Sequence, residues 1–534
     1  MNVSVASKII QTPERQAFAQ WSRYAIFTLC AGLYLLPFMR FILAGTDEGT
    51  LLCGASRIVH GQVFARDFFE VMGPGTFYWL AAFFKLFGVT FLASRICLFV
   101  SSLGTALTMY FLSCQVCSRY RTLPCLILAG TYFGGIWPGI SHHVDSNFFG
   151  LLSVVCLVLW HSRPTRSLLI AAGFLAGVTT CIHQPKGVFL LCAFLVWLWL
   201  QRRRTTSLLS AAGMLTGGYL AVVALVLAYF WSQGALGSLV YVNFVFPRQH
   251  YGSVNTVVYA FRIFKDYWTV WVMAGGGTKW IVGMASILIT PLMFIAALPL
   301  LMLLIGIRYQ WKSVTPEIAL YWLCGWAFWL SEFHRRDIYH LVFGSPLLVI
   351  LCVHALTSSR SRLANISVQV LAISAVCLAG FNCCIGLFAG AHPTTTRVGK
   401  VAVLGHETVL RFLNKHVSSG EEILIYPYCP TYYFLSATTN PTRYSFLLFG
   451  YNTPAQFQEV VGVLDQRRVQ YVIWDSTFVI KTADNFLGSQ PRGPSDLIVE
   501  PYLESHYNVL EDDHGIRMME RNDKIVTPST SSAR

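Results

Sequence analysis

Residues 38–79 read FMRFILAGTDEGTLLCGASRIVHGQVFARDFFEVMGPGTFYW. The stretch begins near the end of an apolar run that opens at Tyr24, and Asp47 and Glu48 follow that run closely. An apolar run of roughly 20 residues is long enough to cross a bilayer as a helix. Arg40, close to its end, can snorkel its guanidinium to the headgroups. Two carboxylates therefore stand at the lip of a membrane, beside a medium in which they are costly. The run has no signal-peptide cleavage pattern and reads as a retained helix.

Composition extends this reading to the whole chain. Of 534 residues, 55% are hydrophobic and 12% are charged, against roughly 25% charged in soluble domains. Apolar runs recur, and the pattern predicts about eleven spans. They start near Tyr24, Leu92, Thr122, Asn147, Ser167, Pro185, Ser207, Ile281, Glu317, Tyr339 and Leu363. The fold class is a polytopic α-helical membrane protein with a small C-terminal extracytoplasmic α/β domain.

The formal charge of +14 has its explanation in topology. Arg119/Arg121, Arg163/Arg166, Arg202–Arg204, Arg308/Lys312 and Arg360/Arg362 each follow an even number of spans. They share a side with Lys8, Arg15 and Arg23. The positive-inside rule makes that side cytoplasmic, so the charge is no argument for nucleic acid. The 15 cysteines lie mainly in apolar segments without paired CxxC motifs. They read as small buried hydrophobes, neither a disulfide framework nor a zinc site.

Before His392 the acids are Glu14, Asp47, Glu48, Asp67, Glu70, Asp145, Asp266, Glu317, Glu332 and Asp337. All but Glu14 and Glu317 fall in loops on the outer side, so any acid chemistry belongs there. Residues 1–23 form a cytoplasmic N-terminus and 24–390 the transmembrane domain. Its two long outer loops are 45–91 and 232–280. The first holds an interfacial helix, a turn at Gly73-Pro74-Gly75 and a second apolar helix; the aromatic-rich second reads as a mobile cover. After Ala391 most of the 25 acids appear. There ETVLRFLNKHV and PAQFQEVVGVLDQRR have helical period, and EEILIY and VQYVIWD read as strands. Residues 391–521 are thus an extracytoplasmic α/β domain, and 522–534 a disordered tail.

Four constellations can carry chemistry. Thr46 or Asp47 can cap the next helix. Alternatively Asp47, with Glu48, supplies a general base at the boundary, where partial desolvation tunes a carboxylate for proton transfer. In GISHHVDSN, residues His142, His143 and Asp145 can meet an acceptor hydroxyl or a metal, or simply start a helix. In CIHQPKGVF, Lys186 lies on the outer side and needs a partner, either a lipid phosphate or the headgroup layer. In SEFHRRDIYHLVFGSP, Arg335, Arg336 and His340 can hold a phosphate, or Arg and Asp337 can form a local capping pair. A divalent cation at Asp47 and Asp145 is compatible with oxygen ligands but is not required. No other cofactor is indicated.

The opening Asp-Glu pair, HGQVFARDFFEVMGPGTFYW and LFGVTFLASR together resemble the GT-C glycosyltransferases of the family-39-like group. Protein O-mannosyltransferases and lipid A aminoarabinose transferases are its relatives. The resemblance covers about the first hundred residues well and the rest loosely. It implies a GT-C-like transmembrane domain and sugar transfer from a polyprenyl-phosphate donor to a lipid, glycan or protein acceptor. It places Asp47 at the family's catalytic acid, the His142, His143 and Asp145 loop where relatives carry a second polar group, and Arg335, Arg336 and His340 in a loop like those that hold the donor phosphate; Lys186 is expected on that phosphate by its charge, and Asp67 and Asp337 are expected toward substrate or acceptor. The setting it implies is a bacterial inner (plasma) membrane with the active site outside. The competing readings are a transporter or flippase of lipid-linked glycans, and a non-catalytic envelope-assembly protein. A flippase would carry more intramembrane charge and internal repeats than this chain displays.

Overall fold

The computed structural model of the chain describes residues 13–43, 47–131, 139–202, 207–251, 257–260, 291–308, 314–388, 393–404, 407–481, 490–491 and 493–522. The helices up to residue 388 are α1 (Pro13–Leu35), α2 (Glu48–Val59), α3 (Pro74–Phe87), α4 (Phe91–Val116), α5 (Leu123–Thr131), α6 (His142–Ser162), α7 (Arg166–Ile182), α8 (Gln184–Leu200), α9 (Leu208–Ser232), α10 (Leu236–Val240), α11 (Pro291–Arg308), α12 (Pro316–Ser331), α13 (Ile338–Gly344), α14 (Pro346–Ser358) and α15 (Arg362–Phe388).

A helix stands at every predicted span except that starting near Ile281, which lies outside the described residues; α11 follows it. Among the described residues, five helices are long and apolar enough to cross a membrane, and α13 with α14 makes six if that pair, bent by 72°, is one span. The rest are short. Helices α7 and α8 have 17 residues each, about 25 Å at 1.5 Å per residue, less than the roughly 30 Å of hydrocarbon. Pro346 sits in the first turn of α14, where its missing N–H costs nothing but cannot extend α13.

Helix contacts rest on small residues. A Cβ on Gly173 of α7 would stand 1.9 Å from the carbonyl oxygen of Leu215 in α9, and one on Gly218 would stand 2.3 Å from that of Ile170. The two backbones therefore touch, which packing between membrane helices favours in place of a hydrophobic drive. The Gly73-Pro74-Gly75 segment is a helix start: Gly73 caps α3, Pro74 occupies its first turn, and Gly73 abuts the carbonyl of Cys181.

The α/β region holds two sheets. Strands β2 (Pro393–Thr396) and β3 (Gly399–Leu404) join β1 (Phe41–Leu43) in the order β1-β3-β2. Strand β1, directly after the first span, runs parallel to β3 with Phe41 opposite Ala402. The second sheet is β4 (Ile423–Tyr426), β5 (Tyr471–Asp475), β7 (Ile516–Arg521) and β6 (Tyr507–Asp513), in that order. Its helices include α16 (Glu407–His416), α17 (Thr431–Leu435) and α18 (Pro454–Arg467). The two helices and two strands expected from the pattern are present. Thr453 closes α18 with a capping box on Gln456. The tail from residue 523 lies outside the described residues.

Helix α2 does not lie open on a membrane surface. Leu51, Leu52 and Ala55 are fully buried, and a Cβ on Gly49 would stand 2.4 Å from the backbone nitrogen of Thr431. The segment from Asp47 to Val89 is thereby docked on the α/β region. Phe69 N–H donates to the Arg443 carbonyl at 2.8 Å, and Arg57 to that of Thr442 at 2.9 Å. The second outer loop is helical over α10 and on to Tyr251, and seats Phe246 edge-on against Phe69 at 4.8 Å; residues 261–280 lie outside the described residues.

The α7–α9 crossing gives a direct test. Gly173→Ala destabilises by about 1–3 kcal/mol, the usual cost of overpacking. Gly213→Ala on α9, where an added Cβ meets nothing within 4 Å, stays within about 0.5 kcal/mol of wild type. Thermal unfolding in detergent compares the two.

Candidate functional site

Glu48 sets the start of α2. It is buried, with Arg95 of α4 donating to its Oε1 at 2.6 Å and the Ile140 N–H to the same oxygen at 3.0 Å. Asp47, one residue earlier, occupies the N-cap position but makes no side-chain cap hydrogen bond. Its exposed carboxylate instead accepts a hydrogen bond from the Tyr428 hydroxyl at 2.6 Å. Tyr428 follows β4 and stacks on Phe478 at 5.2 Å. Burial, then the charge of Asp47, hold its phenol well above the ordinary range, so it remains a donor.

Two further groups face the same place. Burial raises the Tyr451 phenol; the charge of Arg335 draws it back and the charge of Asp47 adds to the rise. Tyr451 thus lies in the field of both the acid after the first span and the arginine after α12. The carboxyl of Glu70 is buried, and desolvation pushes it up to about 8; Ser445 and Arg57 oppose the rise and Asp47 adds to it.

Asp337 organises the arginine loop. Its Oδ1 caps α13 by accepting the His340 N–H at 3.0 Å and also contacts His340 Nδ1 at 2.7 Å, while its Oδ2 accepts from Arg335 Nε at 2.7 Å. Burial works against the charge, but His340 and Arg335 prevail and hold the carboxyl well below the usual range.

Behind this loop lies a second polar group. Lys186 Nζ is buried 2.8 Å from Glu332 Oε1, and donates to Asn147 Oδ1 at 2.7 Å and to Ser146 Oγ at 3.1 Å. His143 Nδ1 stands 3.0 Å from Glu332 Oε2. His142, His183, His334 and His340 gather around His143, each with its ring centroid within 6.3 Å.

Several predicted residues have other work than expected. Glu48 is committed to Arg95 and Ile140, so it presents no carboxylate to a substrate. The partner of Lys186 is Glu332, in place of the lipid phosphate or headgroup layer expected from sequence. Asp67 accepts from Arg66 and from the Val63 N–H, and staples its own turn. Asp145 is buried and accepts from Ser101 at 2.7 Å. Among the described residues, neither Asp47 nor Asp145 joins a cluster of three metal-ligand side chains. Arg336 stands over the Phe333 ring at 6.0 Å. Thr46 lies outside the described residues. Sequence reasoning missed Tyr428, Tyr451 and the grouping of Glu332 with His183 and His334. Only the unusual set of histidines on outer turns hinted at the last.

No protein-family model and no curated protein sequence matches the chain. Solved structures do. ArnT from Cupriavidus metallidurans bound to undecaprenyl phosphate matches with a TM-score of 0.55 and 12% identity, covering 95% of this chain and 99% of that one. The same protein in the apo state matches with a TM-score of 0.55 and 12% identity, covering 94% and 98%. The chain is thus a multi-pass helical membrane protein that shares the fold of ArnT over almost its whole length.

Glu70 yields a pH test. Its folded value, about 8, lies above the ordinary 4.5. Between those values the native chain holds a proton that the unfolded chain releases. Stability therefore falls as pH rises through that window, by at most about 1.4 kcal/mol per pH unit. Glu70→Gln flattens the decline in thermal midpoints measured from pH 5 to 9.

Proposed function

We propose that the chain is an integral-membrane glycosyltransferase that moves a sugar from a polyprenyl-phosphate donor to a lipid, glycan or protein acceptor, inverting the anomeric centre. The reaction takes place on the extracytoplasmic face, in a bacterial inner membrane. One observation carries the reading: the exposed Asp47 carboxylate is held by Tyr428, which packs in one buried cluster with Tyr451, where the charges of Asp47 and Arg335 both act. Support comes from the ArnT-like fold, since that protein is described bound to undecaprenyl phosphate. The side assignment rests on the basic clusters between spans.

The chemistry follows from the groups. A sugar on a phosphate already has a good leaving group, so the site needs a base and a cation more than a strong acid. Asp47 takes the proton of the acceptor hydroxyl as its oxygen attacks the anomeric carbon. The bond from that carbon to the phosphate oxygen breaks, and its electron pair leaves on the lipid phosphate. Tyr428 holds one carboxylate oxygen and leaves the other for the acceptor. Arg335, aimed by Asp337, meets the phosphate charge, which is present before and after transfer, so it serves binding as well as rate. Glu70 stays protonated at neutral pH and offers no second base.

Asp47→Asn lowers transfer at least ~100-fold, within the range for loss of a general base, while the protein still reaches the membrane. Tyr428→Phe costs about tenfold, as for one hydrogen bond to a charged group. Mass spectrometry of lipid-linked sugars and surface glycans reads both. Unchanged glycans and no accumulated donor in cells carrying Asp47→Asn argue for a flippase or an assembly protein instead.

A further inference from the structure

The histidines behind the arginine loop are not used by the proposed transfer. His142 and His143 open α6, and His183 stands in the turn between α7 and α8. Their ring centroids are 3.9 Å (His142–His143), 5.6 Å (His142–His183) and 5.4 Å (His143–His183) apart. One nitrogen from each lies within 4.8 Å of the others. His183, His334 and Glu332 make a second such triad sharing His183.

Three details point to a ligand. A buried imidazole normally finds partners for its nitrogens, yet the Nδ1 of His183, a residue 5% exposed, has none among the described residues. His143 Nδ1 faces Glu332 Oε2 at 3.0 Å. A proton held there fixes the tautomer and turns the Nε2 lone pair outward, the carboxylate–histidine arrangement found behind metal ligands. Finally, Lys186 is paired with Glu332 at 2.8 Å, so the nearest cation is already neutralised.

We propose that His142, His143 and His183 form a transition-metal site of the zinc type, with Glu332 as the carboxylate that orients His143. Three imidazoles suit zinc, and also copper, nickel or cobalt. Zinc–nitrogen bonds of about 2.0–2.1 Å place tetrahedral ligand atoms roughly 3.4 Å apart, which ring rotation from the present spacing can reach. Both oxygens of Glu332 already lie within ion-pair distance of Lys186 and His143, which favours this triad over that of His183, Glu332 and His334. The metal adds to the hydrogen bonds of Lys186 with Ser146 and Asn147 in tying the start of α6 to the α7–α8 turn. The assignment stands independently of the sugar-transfer reading.

Metal counting tests it on the full-length protein in detergent. The purified chain, equilibrated with ~10 μM zinc and washed, is expected to retain about one zinc per chain by mass spectrometry. His142→Ala and His183→Ala weaken binding at least ~100-fold in zinc titrations, whereas His334→Ala stays within ~3-fold. A wild-type protein without stoichiometric zinc overturns the site. So does a His183→Ala protein that keeps it, or loss on His334→Ala with none on His142→Ala. His142 is half-buried at the helix start, so its variant decides the matter even where His183→Ala fails to elute as a monodisperse species.

Discussion

The ion pair between Glu48 and Arg95 is the interaction on which the arrangement depends. Both side chains are almost wholly buried, 2% and 3% exposed. A charge in such a place is tolerated only with its partner and with its remaining capacity used, here by the Ile140 N–H. The pair locks the first turn of α2 to α4 and to the segment before α6. Once Glu48 is turned inward, the neighbouring Asp47 is free to point to Tyr428. Removing Arg95 would leave an uncompensated carboxylate at the root of this geometry.

The fold was largely legible because membrane insertion imposes coarse, repeated signals. Apolar runs mark the helices, and the α/β elements such as Pro454–Arg467 and Tyr471–Asp475 carry clear period and capping. Span number was less legible. Hydropathy does not foresee that a helix such as α7 packs backbone-to-backbone through Gly173 and stops after 17 residues. Strand β1 was invisible, since Phe41–Leu43 reads as the end of an apolar run until β3 is beside it.

The candidate site was legible in half. Asp47 and the Arg335–Asp337–His340 group stand out in sequence because acids and unpaired-looking arginines are rare near outer turns. Their partners do not. Tyr428 lies 381 residues from Asp47, and nothing in its local sequence separates it from other aromatic residues. Lys186 is a like case: its partner Glu332 stands at the end of a different helix, 146 residues on, beyond any local pattern. Long-range pairing of charges is three-dimensional information, and pattern reading reports only the need for it.

The strand at 41–43 bears on how the molecule is made. Its sheet partners begin at residue 393, and Tyr428 is later still. A ribosome delivers every helix up to Phe388 before β3 exists to receive β1. The acid at residue 47 therefore waits through nearly the whole of translation with its surroundings unbuilt, and a nascent chain halted before the α/β region would hold the bundle but not the pocket.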